Sequence, residues 1–442
     1  MPLSPSLSIF RHRAYAQYWV MRQLVAGARQ MTAVAIGWQV YTLARETRGV
    51  EESALLLGFV GLAQFAPVFL LSLVGGQAAD RLNRKMILIV SNALRGLALL
   101  GLVWTVYLPT ETALPSIFAI AVVMGAVNAF TPAASNALYP TLIPRAELPT
   151  AIAWNSLGFQ VAAMTGPALG GFLYAAGPQI VYGTGFVMTV VAVINMAFVK
   201  TPAHQPIKNA RGFAMALEGL KYIRDNKIVF GAITLDLVVV FFGGAVALLP
   251  VFAKDILGTD ALGLGYLRAA PAMGAAIIAF SFAARPLERR VGKWMFGAIV
   301  VYGLSMLAFG LSTAFWLSMI ALAVSGAADM ISVYVRASLV QLATPDGMRG
   351  RVSSVSYIFV SASNELGEFE SGIAARFLGP VGAVLLGGTV ALLTAGLWTR
   401  IFPALWKADR IDRVPEMPVS DADQMDEKAG DAAAANRPVR AM

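Results

Sequence analysis

The sequence predicts an all-α membrane protein with the architecture of twelve transmembrane helices in two pseudo-symmetric six-helix bundles. Three observations predict it. The 442 residues are 57% hydrophobic and only 13% charged, about half the roughly 25% charge of a soluble domain. Apolar runs of spanning length, about 17 to 25 residues, recur near 17–40, 55–77, 86–108, 116–138, 151–175, 179–199, 229–250, 262–284, 294–313, 316–338, 352–375 and 378–402. The chain also matches itself. At an offset of 201, Gly125 falls on Gly326, Pro144 on Pro345, Gly166 on Gly367 and Gly171 on Gly372, and at 207 Gly58 falls on Gly265. Duplication of a six-span unit accounts for this, with chance in a glycine-rich chain as the rival.

Each run is expected to be a helix, because a lone span in hydrocarbon must satisfy its own backbone hydrogen bonds, and the alternation of a barrel strand is absent. Basic residues fix the expected orientation. Arg11, Arg13, Arg81 to Lys85, Arg145, the 200–227 stretch, Arg285 to Lys293, Arg349 and Arg351 share one side, which the positive-inside rule makes cytoplasmic together with both termini. The opposite loops hold little that is basic beyond Arg45, Arg48, Lys254 and Arg376. A net charge of +9 spread over short turns forms no nucleic-acid stripe. Cysteine is absent, and the two histidines, His12 and His204, sit outside the spans, so no disulfide, metal or redox cofactor is expected. The first 16 residues carry no cleavable signal pattern.

The expected organisation is an N-terminal bundle over 1–199, a cytoplasmic linker over 200–228, a C-terminal bundle over 229–402 and a disordered cytoplasmic tail over 403–442. Within the linker, residues 213–226 read as an amphipathic helix on the membrane surface, with Phe213, Leu217, Leu220, Tyr222 and Ile223 on one face.

Charges inside spans are costly and mark function by default. The first half carries Arg22, Arg29 and Arg95; the second carries Asp236, Asp329, Glu365, Glu368 and Glu370. Arg22 and Arg29 are seven residues apart and share a helix face with Gln23 and Gln30; Asp329, Ser332 and Arg336 make a second stripe. These groups either line a substrate cavity or pair as structural salt bridges across the halves. Desolvation in a closed cavity disfavours a charged carboxylate, so such a group can carry a proton. Asp236 and Glu365 are the first candidates, with Asp329 and Glu368 behind them; Glu368 and Glu370 also read as rim charges. Trp19, Trp154, Tyr334 and Tyr357 are candidates for stacking on an aromatic substrate, and Trp38 and Tyr41 for interface anchors.

Three blocks resemble the major facilitator superfamily. Gly76, Asp80, Arg81, Arg84 and Lys85 match its loop between spans 2 and 3, with Asn83 where glycine is usual. The resemblance implies that Asp80 helps to shut the inward gate against the start of span 11, here Arg349-Gly350-Arg351; otherwise the loop is only a topological marker. Gly166, Pro167, Gly170 and Gly171 resemble the motif typical of the family's exporters, although Ala153 and Ala162 replace its earlier glycines, which leaves a simple packing kink as the rival. Residues 326–356 and 363–375, with 235–250 and 263–271, resemble the enterobactin exporter branch. That resemblance implies a proton-coupled exporter of the bacterial inner membrane, monomeric and not an enzyme, with spans 1, 4, 7 and 10 lining the cavity around Arg22, Arg29, Gln30, Arg95, Ser332 and Arg336. The implied cargo is a catecholate siderophore; the alternative is multidrug or metabolite efflux, and a non-transporting sensor is the outlying reading.

Overall fold

The computed structural model describes residues 8–201, 212–243, 245–285, 287 and 289–409, almost wholly as helix. Nine stretches of described residues are long and apolar enough to cross a membrane. One of them, Arg351–Ile401, has 51 residues and would run about 76 Å as a single rod, more than twice a bilayer core. It folds back at Gly379, whose φ of 74° only glycine adopts freely, with Pro380 following. Two more helices of spanning length, Arg13–Thr47 and Leu148–Ala175, are less apolar because they carry Arg22, Arg29 and Gln30, and Asn155, Gln160 and the glycines respectively. Together these make twelve crossings. We number them as spans 1 to 6 (Arg13–Thr47, Val50–Arg81, Arg84–Thr105, Thr110–Leu138, Leu148–Ala175, Pro178–Ala197), span 7 from Lys227, spans 8 to 10 (Ala261–Ala284, Val291–Leu311, Phe315–Leu342), and spans 11 and 12 as the two arms of Asp346–Ile401.

Span 7 departs from the continuous helix expected over 229–250. Its α-helix ends at Phe242, and a 3-10 turn over Ala245–Leu248 and a π-helical turn over Phe252–Ile256 carry the chain onward. The cause is the Gly243-Gly244 pair, which stabilises helix poorly. The Gly243 carbonyl accepts a hydrogen bond from the Tyr302 hydroxyl at 3.2 Å, which satisfies a group that the break frees.

Between bundles, span 5 crosses span 8 and span 11 crosses span 2. A Cβ on Gly171 would lie 2.9 Å from the Gly265 Cα, and one on Gly372 would lie 2.8 Å from the Gly58 Cα. These are the same two crossings under the internal repeat. Within the bundles, Gly125 packs on the Gln64 carbonyl and Gly326 on the Pro271 carbonyl, again as counterparts. Both glycine crossings lie in the half of the membrane away from the termini. On that far side Asp255 accepts a hydrogen bond from Tyr41 and pairs with Arg45 at 3.3 Å, and Glu52 pairs with Arg376 at 2.9 Å. The exceptional far-side arginines 45 and 376 are thus neutralised. Tyr41, expected to be an interface anchor, is fully buried in this closure.

Two further expectations are corrected. Part of the tail read as disordered is ordered: Pro403–Trp406 is helical, Leu405 is fully buried, and the Gly292 amide donates to the Ala408 carbonyl at 3.0 Å. Apolar Leu405, with Trp406 edge-on to Phe296 at 5.6 Å, drives this docking. Residues 410–442 lie outside the described residues. The linker helix, Gly212–Asp225, rests on the start of span 11 rather than on lipid alone. Ile223 is buried there and the Tyr222 hydroxyl donates to the Ala343 carbonyl at 2.5 Å, while Leu217 and Leu220 face outward; its apolar residues serve two surfaces.

Gly171→Val puts a side chain into the span 8 backbone and should pry the far side open. A single cysteine replacing buried Ala375, in a chain with no native cysteine, should then react with an impermeant maleimide several times faster from the far side. An unchanged labelling rate would show that the crossing does not hold that side closed.

Candidate functional site

Span 1 supplies the N-terminal wall. Its polar face is seated against the small residues of span 5: added Cβ atoms on Gly158 and Gly166 would meet Gln23 and Gln30, and one on Gly170 would lie 2.7 Å from the Met31 carbonyl oxygen. The opposite edge of the same motif, Gly171 and the Pro167 carbonyl, meets span 8 at Gly265. The Gly166 to Gly171 segment is therefore wedged between the polar helix of its own bundle and the other bundle. Arg22 donates to the Tyr18 hydroxyl at 3.2 Å. Arg29, about 24 Å into span 1 from Arg13, is exposed although it lies deep in the span. Arg95 on span 3 is buried, and its Nη2 donates to Asn128 Oδ1 at 2.8 Å. Arg29, Arg95, Gln64 and Asn128 line one small pocket.

In the C-terminal half, Asp236 and Arg336 form a buried ion pair between spans 7 and 10. The pair lies within one bundle, not across the halves, and it splits the expected span 10 stripe. Arg336 turns to Asp236 and Ser332 is buried, whereas Asp329 stays exposed in a cavity of about 250 Å³ shared with Asn364, Glu368, Ser325 and Tyr302. Glu368 is not a rim charge. It lines that cavity, and its Oε2 lies 3.1 Å from where a Cβ of Gly61 on span 2 would stand. Glu365, one turn earlier, feels Arg29 of the opposite bundle as well as Glu368. Glu370 faces a different groove beside Phe377.

The charged loop is structured mainly by its own helix ends. Asn83 has φ −65° and accepts from the Lys85 and Met86 amides, so it caps span 3 instead of supplying a left-handed turn. Arg84 donates to the Ala79 and Ala137 carbonyls, and Lys85 to the Ala197 and Val199 carbonyls at the end of span 6, where a cation complements the helix dipole. Gly75, not Gly76, makes the close approach, to the Ala129 carbonyl; a Cβ on Gly76 would meet open space. Among the described residues Asp80 and Arg81 have no ion-pair partner. Arg351 pairs with Glu218 of the linker helix at 2.6 Å, and the Arg349 side chain lies outside the described residues.

The aromatic candidates divide similarly. Trp19 and Trp154 pack with Phe10 in an edge-to-face cluster near the N-terminus, and Trp19 donates to the Trp154 carbonyl at 3.1 Å. Tyr334 packs on Phe282 at 4.8 Å, Trp38 packs against the core, and the Tyr357 side chain lies outside the described residues. Sequence reasoning missed Arg268, a charged residue on span 8 that acts electrostatically on Glu368. Its signal was present, an arginine in an apolar run, but it stood inside a block read only for resemblance. Asn128, Gln64 and Asn364 carried no such signal, since neutral amides are common in spans.

A family profile described as a transmembrane secretion effector matches residues 4–432. Similar proteins include the enterobactin exporter EntS of Shigella boydii serotype 18 and that of Escherichia coli O81, each 26% identical over 395 residues and covering 88% of both chains. Among solved structures, a D-xylose-proton symporter superposes with a TM-score of 0.67 at 12% identity over 91% of this chain and 99% of that one. A bacterial homologue of the iron transporter ferroportin in an inward-facing state does so with a TM-score of 0.64 at 17% identity, over 90% and 99%. At these identities the superpositions speak for the fold.

Removing one member of a buried pair strands the other charge, at about 3–5 kcal/mol. Asp236→Ala should therefore lower the thermal unfolding midpoint sharply, and Arg336→Met in the same chain should restore most of the loss. Equal destabilisation by the single and double variants would mean that the pair is not what Asp236 is for.

Proposed function

Because the chain belongs to the transmembrane secretion effector family, within the major facilitator fold, we propose that it is a proton-coupled exporter of a small molecule, with a catecholate siderophore as cargo. It is a multi-pass membrane transporter and not an enzyme. The observation that carries the coupling is the cavity that Asp329 and Glu368 share, with Glu365 one turn away on span 11 and within electrostatic range of Arg29 on the other bundle. A carboxyl that answers to a cation on the other bundle changes the attraction between bundles when it takes a proton, which is what alternating access requires. Glu365, Glu368 and Asp329 are the proton carriers in this reading. Asp236 is assigned to Arg336 as an internal support, since using it as a carrier would strand a buried guanidinium.

The far-side closure and the exposure of Arg29 and Asp329 support an inward-facing state, with the termini in the cytoplasm of a bacterial inner membrane and the chain acting as a monomer. The two-bundle division at 199 and 229 is retained. The Gly166 to Gly171 wedge, which touches both span 1 and span 8, favours export. Closing the inward gate exchanges the Glu218 contact of Arg351 for Asp80, with Arg349, Arg81, Arg84 and Lys85 shaping the same surface. The similarity to chains named as enterobactin exporters supports the siderophore. Multidrug or metabolite efflux is the second reading, because 26% identity does not fix a cargo.

In everted membrane vesicles, Glu365→Gln should reduce proton-driven uptake to background, while Asp80→Ala should slow it without weakening cargo binding. Uptake equal to wild type in the Glu365 variant would remove that residue from coupling. A deletion strain should retain catecholate inside the cell and lose it from the medium; unchanged secretion with new drug sensitivity would select the second reading.

A further inference from the structure

The N-terminal bundle has a charge problem that its own residues do not solve. Its six acidic residues, Glu46, Glu51, Glu52, Asp80, Glu111 and Glu147, all stand at helix ends. Arg29 and Arg95 face a common pocket mid-membrane and repel one another. Among the described residues no carboxylate lies within ion-pair distance of either. Arg95 is 6% exposed, its Nη2 is held by the neutral Asn128, and its Nε has no hydrogen-bond partner. Glu365 acts on Arg29 only, from the other bundle. Two guanidinium groups on one pocket, that of Arg95 buried and with an unused donor, call for an anion from outside the chain.

We propose that the pocket between Arg29 and Arg95 is an anion subsite that takes one carboxylate-sized planar oxyanion of the cargo. Its volume of about 40 Å³ equals about three water positions on the same measure, enough for such a group and too small for a whole siderophore. Guanidinium forks match a planar oxyanion through paired N–H donors. Gln64 adds an amide to the wall. An anion bound there screens the charge of Arg29 that acts on Glu365 from the other bundle, so its arrival favours protonation of that carboxyl. The inference rests on the export reading in calling the anion cargo; the site itself belongs to the free protein.

The test is thermal unfolding of the purified full-length protein in detergent, with benzoate and the neutral isostere benzamide compared at fixed ionic strength. Benzoate should raise the midpoint of the wild type in a saturable way and benzamide should not. Asn128→Asp places a carboxylate against Arg95, so it should raise the midpoint without ligand and abolish the benzoate shift. Arg95→Gln should also lose the shift. Equal shifts with benzamide, or a full benzoate shift in Asn128→Asp, would overturn the subsite. Since benzoate need not be transported, failure of the siderophore experiment leaves this result standing, and failure here leaves export standing.

Discussion

Everything in this molecule turns on two places where backbone meets backbone. At Gly58 with Gly372 and at Gly171 with Gly265, helices of opposite bundles approach so closely that a single Cβ would collide with main chain. In lipid the hydrophobic effect does not drive helices together, so association rests on close packing, which small residues permit. The two crossings are symmetry mates and lie in the same half of the membrane. On the proposed alternating-access reading they act as a paired hinge, in the same half where Asp255 takes Tyr41 and Arg45 and Glu52 takes Arg376.

Against that frame of neutral backbone contacts, the charges are distributed by need. Arginines 45 and 376 on the far side each have an acid partner, and Asp236 has Arg336 inside one bundle. A buried pair of that sort stabilises little beyond what apolar residues would, but neither member can be lost alone. Among the described groups without an ion-pair partner, Arg29 and Arg95 line a pocket of the N-terminal bundle, and Asp329 and Glu368 line a cavity of the C-terminal bundle with Glu365 one turn away. Opposite signs on the two bundles set up a field to which, on the proposed reading, both cargo and proton respond.

Twelve crossings, two bundles and the repeat were legible because they depend on solvent and on glycine, both visible in a sequence. Two of the glycine pairs found by sliding the chain on itself, Gly171 with Gly372 and Gly58 with Gly265, occupy corresponding places in the two crossings. What a sequence does not show is where a polar side chain turns. Asp236 and Glu365 look alike as lone acids in apolar runs, yet one is held by Arg336 within its own bundle and the other has no ion-pair partner among the described residues. Asn83 looked like a substitute for a turn glycine and is a helix cap. The break in span 7 was written as Gly243-Gly244, but a glycine pair in a span is as often a packing surface, and only the Tyr302 hydroxyl on the freed carbonyl tells the two apart.

The position of Glu368 joins the hinge to the charge pattern. Its carboxyl lies between the cavity that holds Asp329 and the Gly61 face of span 2, three residues from the Gly58 crossing, with Arg268 acting on it from span 8. Charge at such a site is costly unless Arg268 or water compensates it, and the cost changes whenever spans 2 and 11 shift. Proton occupancy and helix geometry at this crossing are consequently linked by thermodynamic reciprocity: a motion that desolvates the carboxyl favours the proton, and the proton favours that motion. If Glu368 carries the proton, as proposed, the carrier needs no long relay between coupling site and gate, because its titratable group sits at the crossing of spans 2 and 11.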